Sequence, residues 1–545
     1  MSIQKNQALQ IHPGDNVAVA LTTLAKDTYL ELHGTQYHIV EEIPQKHKFA
    51  LETIDKGSAV IMYGNVIGKA TMPIAKGGLL HLFNVRHASS KPELRKGTLA
   101  WEAPDISGWS QRTFMGYHRK GGKVGTRNSW LVIPLVFCEN RNIRVMQEAL
   151  EKVLGYGSSA EYEIFAQQWL DSRLAGGTVS AASISPPTKK PFPKVDGVRF
   201  LTHDGGCGGT RADAQALCAL LAGYIAHPNT AGATVLSLGC QNAQIEMLEA
   251  ALQQIEPAYD RPLHILEQQQ SQSEKAFIEQ AISLTLEGIA KANEVERKPA
   301  PLSKLIIGLE CGGSDGFSGI SANPLLGKVS DLIATLGGSP VLSEFPELEG
   351  VEQNLIDRSV SLEVATRFLS LMDRYRAKAA EVSVAFDMNP SPGNIKDGLI
   401  TDAMKSSGAA LKGGSSPVCG VLDYTEQVQR PGLHLLCTPG NDVESTTALA
   451  GSGCNLILFT TGLGTPTGNP LAPVIKVSSN TALYQKMSDL IDFDAGSIIT
   501  GTENPESLAQ NLLEYLIEVA SGGATTAAER LGQQDFIPWK RGISL

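Results

Sequence analysis

The 545-residue sequence predicts an α/β protein, with a small β-rich N-terminal domain followed by Rossmann-like, mostly parallel α/β domains. Three observations carry this expectation. Residues 1–87 hold only short apolar runs, such as Asn16 to Leu21 and Ala59 to Tyr63, punctuated by glycines at 14, 34, 57, 64, 68, 77 and 78. Long helical periodicity is absent there, as in a domain of short strands. From residue 114 onward, apolar runs alternate with polar, glycine-bearing loops and amphipathic helices, the pattern of parallel strands covered by helices. A composition that is 42% hydrophobic and 19% charged supports several packed cores. The boundaries read as 1–90 for the β-rich domain, 91–113 for a linker, 114–260 for a second domain and 261–545 for a C-terminal domain.

The net charge of -10, from 46 Lys+Arg against 56 Asp+Glu, argues against a nucleic-acid partner, because phosphate neutralisation needs clustered cations. A small-molecule partner fits better. No stretch of about 18 apolar residues and no leader pattern is present, so a cytoplasmic protein without a membrane partner is expected. A homo-oligomer stays open. Eight cysteines without a CxxC pair point to reduced thiols, some of them ligands, rather than to a disulfide framework or a zinc ribbon.

Taken in order, the apolar run Leu131 to Phe137 leads into Cys138-Glu139-Asn140 and a helix at 143–154. The Gly-Ser-Pro-Lys-rich segment 176–194 reads as a surface excursion. Val198 to Leu201 is followed by THDGGCGGTRAD and a helix from 212; Thr234 to Leu238 is followed by GCQNAQ and a helix with Ile245, Leu248, Leu252 and Ile255 on one face. Leu305 to Leu309 opens into ECGGSDGFSGIS, and Asn323-Pro324 starts the next helix, Asn being a favoured cap and Pro a favoured first residue. Later strands are expected at 341–342, 433–436, 456–459, 474–477 and 497–500, with helices at 324–336, 351–378, 482–490 and 506–520.

Cys138, Cys207, Cys240 and Cys311 each stand just beyond a predicted strand. If those strands are parallel neighbours, the four thiols share one sheet edge and form a soft-metal site. The competing reading is a small buried hydrophobe, as expected for Cys218 inside a helix. His203 and Glu310 could complete a ligand set, and Asp315 could bind a cation or stabilise its turn. Two loops, Asn389 to Gly398 and Thr460 to Pro470, offer amides, hydroxyls and Lys396 without a GxxxxGK[ST] nucleotide motif.

HPGDNVAVAL and HKFALETIDKGSAVIMYGNVIGKA in the first domain resemble a SAF (β-clip) domain, and GYHRKGGKVGTRN, HDGGCGGTRAD, LECGGSDGFSGISANPLLG, NPSPGN and TPGNDVESTTALAGSGCN are similar to the altronate/galactarate dehydratases. The resemblance covers nearly the whole chain and lies nearer to altronate dehydratase. It implies removal of water from a sugar acid, altronate giving 2-dehydro-3-deoxygluconate, with ferrous iron as cofactor and manganese as a substitute. An iron–sulfur cluster is the alternative that the thiols leave open. With the reaction in view, the metal ligands are expected among Cys138, Cys207, Cys240, Cys311 and Glu310, and proton transfer from His203, Lys396 or Asp315. Substrate contacts are expected from His12, His47, Lys48, Ser314, Ser391, Asn394, Thr461 and Thr465. Three positions depart from the family pattern: Leu463 where Arg is common, Gln241 where Glu is usual, and Gly206 in place of Tyr. Other readings of the same features are galactarate or a related acid as substrate, and a sugar-acid-binding protein without catalysis.

Overall fold

The computed structural model describes residues 7–89, 91–95, 100–156, 161–175 and 190–544. Most of the surface excursion expected at 176–194 lies outside them.

The N-terminal domain is built only of short antiparallel strands, with Val17–Ala20 between Ala8–Leu9 and Lys48–Ala50, and Asn65–Ala70 between Ala59–Met62 and Val85–Arg86. Alternating residues of these strands, among them Val17, Val19, Val60 and Ile67, form a core that continues into Phe317, Ile320, Leu399, Ile400 and Met404 of the C-terminal domain. This domain is therefore docked by apolar burial.

Four parallel strands make the middle sheet: β1 (Ser129–Pro134), β2 (Gly197–Phe200), β3 (Thr230–Ser237) and β4 (Leu263–Glu267), in the order β2-β1-β3-β4. The boundary expected at 260 would cut this sheet, because β4 pairs with β3 from Ala233↔Leu263 to Ser237↔Glu267. As an edge strand with mostly half-buried residues, β4 lacks the strong apolar run that announces its neighbours. The helix Glu274–Ala292 belongs here too; it carries Gly288 where a Cβ would lie 2.0 Å from the Trp130 ring.

Seven parallel strands form the C-terminal sheet: β5 (Ile306–Cys311), β6 (Ser339–Leu342), β7 (Val418–Leu422), β8 (Leu433–Leu436), β9 (Leu456–Thr461), β10 (Val474–Ser478) and β11 (Phe493–Asp494). Their order is β7-β8-β6-β5-β9-β10-β11. The central strands are buried on both faces, which is why they read as continuous apolar runs. After β5 the chain first extends the sheet on one side and then returns to add β9 on the other, so the order reverses at β5. Clefts in parallel sheets form at such a reversal, beyond the carboxyl ends of the strands. The strand expected at 497–500 is instead a helical turn, Ser497–Thr500, and the short β11 before it makes the pairing.

A buried polar weld joins the two α/β domains. Asn229 donates to the carbonyls of Asn455 and Leu471, and Asn455 donates to those of Val124 and Lys304. Arg127 makes a two-pronged ion pair with Glu529 at 2.6 and 2.9 Å. Among the described residues no helix is long and apolar enough to cross a membrane. Removing one partner of a buried pair strands the other charge, so Glu529→Ala should cost about 3–5 kcal/mol, while Arg127→Met with Glu529→Leu should recover most of it. Chemical denaturation of the single and the double variant measures this; equal losses in the two would contradict it.

Candidate active site

The carboxyl ends of β5 and β6 deliver a buried cluster. Glu310 and Cys311 end β5, and Glu344 and Glu347 follow β6. Lys405 comes from the helix Asp402–Ala410, Lys412 from the turn after it, and Asp442 from the first turn of the helix Asp442–Gly451. Lys412 Nζ lies 2.8 Å from Cys311 Sγ and 2.9 Å from Glu344; Lys405 Nζ lies 2.6 Å from Glu347. Ser343 and Ser445 both donate to Glu310 Oε2, at 2.7 and 2.6 Å. Glu344 adopts a left-handed backbone, φ 66°, and its amide is held by Thr438 Oγ1 at 2.8 Å. A non-glycine residue in that conformation is strained, and such strain gathers at functional sites.

Burial sets the electrostatics. It raises the pKa of Glu310, with the Glu344 charge adding to it, and likewise raises Glu344 and the Cys311 thiol. Burial also opposes ionisation of Glu347, but the Lys405 and Lys412 charges outweigh it and hold this carboxyl at about 2. Asp442 is pushed up to about 7 by burial and by the charges of Glu344 and Glu347.

Four carboxyls face two ammonium groups, an excess of two negative charges when all are ionised. Oxygens of Glu310, Glu344 and Asp442 lie within 4.8 Å of one another, and the buried Glu310 Oε1 receives no hydrogen bond among the described residues. An all-oxygen donor set with that excess fits a hard divalent cation. Cys311, Glu344 and Glu347 form a second such group, already neutralised in part by the lysines.

Asp315 is the junction with the N-terminal domain. Its carboxylate accepts from Ser318, Ser479 and the Phe317 amide and pairs with Lys46 at 2.9 Å. Fully occupied in this way, it fixes the loop and offers no free oxygen for the proton transfer expected of it. Lys48, completely buried beside it, donates to the Gly398 carbonyl at 2.7 Å, and burial lowers its pKa to about 7. Lys48 therefore fastens the domain interface, where a substrate contact was expected. His47 is half-buried; its Nδ1–H donates to the Gln45 carbonyl, which leaves the Nε2 lone pair free, and burial lowers its pKa. His12 is exposed in the turn that it shares with Asp15.

Several other expected residues serve the backbone. His203 is not a free proton carrier: its Nε2–H donates to the Pro134 carbonyl at 2.7 Å and its Nδ1 accepts from the Gly205 amide. Ser391 and Asn394 cap one helix reciprocally, and Asn394 also donates to the Ser314 carbonyl. Thr461 Oγ1 accepts from the amides of Leu463, Gly464 and Thr465, shaping a loop against Gly313, where a Cβ would lie 2.9 Å from Thr465 Oγ1. Lys396 is exposed and makes no hydrogen bond or ion pair among the described residues. Gln241 staples its own turn between Ser237 and the Gly239 amide, and Leu463 is exposed.

The four thiols do not share one edge. Cys138, Cys207 and Cys240 follow β1, β2 and β3 of the middle sheet and are exposed, whereas Cys311 ends β5 of the other sheet and is buried with Glu344 and Glu347. Recurrence of strand, loop and cysteine along the chain carried no information about which strands pair. Glu344, Glu347, Lys405, Lys412 and Asp442 escaped sequence reasoning. The signal that could have found them is charge placed just after an apolar strand or within a stretch of small residues, as in SEFPELEG and AALKGG.

The Asp442 shift has a sign that can be measured. In chelator-stripped protein the folded carboxyl keeps its proton up to about pH 7, whereas its ordinary value is 3.8. Its contribution to stability is full below the lower value and is lost as pH rises through the higher one. Asp442→Asn should therefore raise the melting temperature of stripped protein more at pH 8 than at pH 5. Added manganous ion should stabilise the parent more than the variant. Identical shifts at both pH values would contradict this.

Residues 6–88 match the family model described as altronate/galactarate dehydratase SAF domain. Residues 116–293 match D-galactarate dehydratase/altronate hydrolase, second domain, and residues 302–544 match D-galactarate/altronate dehydratase, C-terminal. The chain is 34% identical to an altronate dehydratase of Bacillus subtilis (strain 168), over 98% of this chain and 99% of that protein. It is 35% identical to an altronate dehydratase of Escherichia coli (strain K12), over 99% and 100%. A galactarate dehydratase (L-threo-forming) of Escherichia coli (strain K12) is 30% identical over 96% and 94%. With all three domain models matched in order and full-length relatives above 30% identity, the chain belongs to the D-galactarate/altronate dehydratase family.

Proposed function

We propose that this protein is a hydro-lyase that removes water from a sugar acid, D-altronate first, giving 2-dehydro-3-deoxy-D-gluconate. Similarity to two altronate dehydratases over nearly their whole length supports the substrate. The observation that carries the chemistry is the buried set Glu310, Glu344 and Asp442 beside the Lys405 and Lys412 ammonium groups.

We assign a divalent cation, ferrous iron with manganese as a substitute, to Glu310, Glu344 and Asp442. When bound, it polarises the substrate carboxylate and takes up negative charge as the C2 proton leaves. The protein's own groups supply the rest. A proton next to an ionised carboxylate is weakly acidic, so positive charge must already stand where negative charge develops. Lys412 meets that need: burial opposes its charge, but the Glu344 and Glu347 carboxylates keep it protonated. His47, neutral and with a free Nε2 on the loop that covers Asp315, is the base for C2. Lys405 is also kept protonated; it is less deeply buried than Lys412 and donates a proton to the departing C3 hydroxyl. The N-terminal domain thus brings the base, and the C-terminal sheet holds the acid and the charge.

Iron-loaded protein assayed without oxygen should convert altronate to the 2-keto-3-deoxy acid and act more slowly on galactarate. Glu344→Gln should lower kcat/KM about 10²–10³-fold, the usual effect of removing one preorganised charge-stabilising group. His47→Gln should remove the acidic limb of the pH–rate profile. Absence of a 2-keto product from altronate and from a panel of related aldonates and aldarates would sink the proposal.

A further inference from the structure

The three thiols of the middle domain play no part in the chemistry above. Cys138, Cys207 and Cys240 are free and exposed at the carboxyl ends of neighbouring parallel strands, with β1 in the centre. Adjacent strands run about 4.8 Å apart, so residues just past their ends are brought together. Backbone bonds stitch the loops: the Phe137 amide donates to the Gly205 carbonyl at 3.0 Å, and the Asn242 and Ala243 amides donate to the Gly206 carbonyl at 2.9 and 3.0 Å. Each cysteine stands one or two residues from such a bond. Gly206, at φ 96°, permits the crossing, because a Cβ there would lie 2.4 Å from the Leu135 carbonyl oxygen.

The three sulfurs do not all lie within 4.8 Å of one another. A single tetrahedral ion, with sulfur at about 2.3 Å, needs its thiolates roughly 3.8 Å apart. A polynuclear iron–sulfur cluster offers corners set further apart, and thiolates are its usual ligands. We infer that Cys138, Cys207 and Cys240 hold an iron–sulfur cluster with three protein ligands.

A fourth protein ligand is not at hand among the described residues. Both ring nitrogens of His203 are engaged, Cys218 is buried in its helix, and Cys311 lies in the other sheet. Cys207 instead borders a cavity of about 450 Å³ between the middle and C-terminal domains, lined also by Arg144, Asp204, Glu444 and Lys540. Arg144 makes no hydrogen bond or ion pair among the described residues, so it is available to an anion. A small hydroxy-acid anion seated there would offer an oxygen to the iron that lacks a protein ligand.

The test uses the full chain purified without oxygen, then reconstituted with ferrous iron and sulfide. Iron and acid-labile sulfide should appear in similar amounts with a broad visible absorption. Cys138→Ser, Cys207→Ser and Cys240→Ser should each lose most of that signal, and Cys419→Ser, a half-buried thiol on β7, should keep it. In parent protein the cluster should shield those three thiols from alkylation, a mass-spectrometric readout that does not depend on how the variants fold. Added lactate, a hydroxy acid without the sugar chain, should change the Mössbauer signal of one iron site only. Bound zinc without sulfide, a disulfide within the trio, unshielded thiols after reconstitution, or equal cluster content in all four variants would overturn the inference. Cluster content and thiol shielding are read without substrate, so absence of a cluster would leave the dehydratase reading standing, and a shielded cluster in a protein inactive on every sugar acid would sink that reading alone.

Discussion

Burying a set of acidic groups side by side is the constraint on which the C-terminal domain depends. Taking an ion out of water costs several kcal/mol even after relaxation, and Glu310, Glu344 and Glu347 are all buried. Two strands that are apolar on both faces draw them in, because the residues that end such strands sit at the sheet edge under the covering helices. Lys405 and Lys412 offset part of the cost, and hydroxyls from Ser343 and Ser445 another part. What remains, a carboxyl oxygen without a donor and a left-handed glutamate, is strain that a fold keeps where chemistry needs it.

The same logic explains how the N-terminal domain is held. Asp315 could not stay buried alone, and Lys46, reaching across the domain boundary, supplies the opposite charge. Apolar continuity through Phe317, Ile320 and Met404 provides the non-directional part of the docking, and the hydrogen bond from Lys48 to the Gly398 carbonyl fixes its register. His47 is placed between the two lysines by that register.

Much of the fold was legible in the sequence, because buried parallel strands and glycine-punctuated short strands leave strong local patterns; β3 and β9 are read directly from their apolar runs. The edge strand β4 left no such pattern, and the middle domain was therefore cut too early. The site was legible as a location, the loop after β5, rather than as a set of residues. Ser391, Asn394, Thr461 and His203 have the chemistry of ligands, yet each finds backbone partners within its own loop or in the loop packed beside it. Sequence cannot distinguish a polar side chain that shapes a loop from one that faces a substrate, since both call for the same residue type. Nor can it pair strands: four cysteines in equivalent local settings fell into two sheets.

Besides the Asn229–Asn455 and Arg127–Glu529 contacts, one helix bridges those two sheets. Asp442, in the first turn of Asp442–Gly451, belongs to the carboxylate cluster, and Glu444, two residues on, lines the cavity beside Cys207. This helix packs against Arg211–Ile225 at a glycine contact so close that a Cβ on Gly223 would lie 2.3 Å from the Gly451 carbonyl oxygen. Residues of both helices, including Leu221, Ala448 and Leu449, share one core with strands from both sheets. Interiors packed to this density transmit displacement instead of absorbing it. The carboxylate edge and the thiol edge are therefore held at a fixed spacing by this packing.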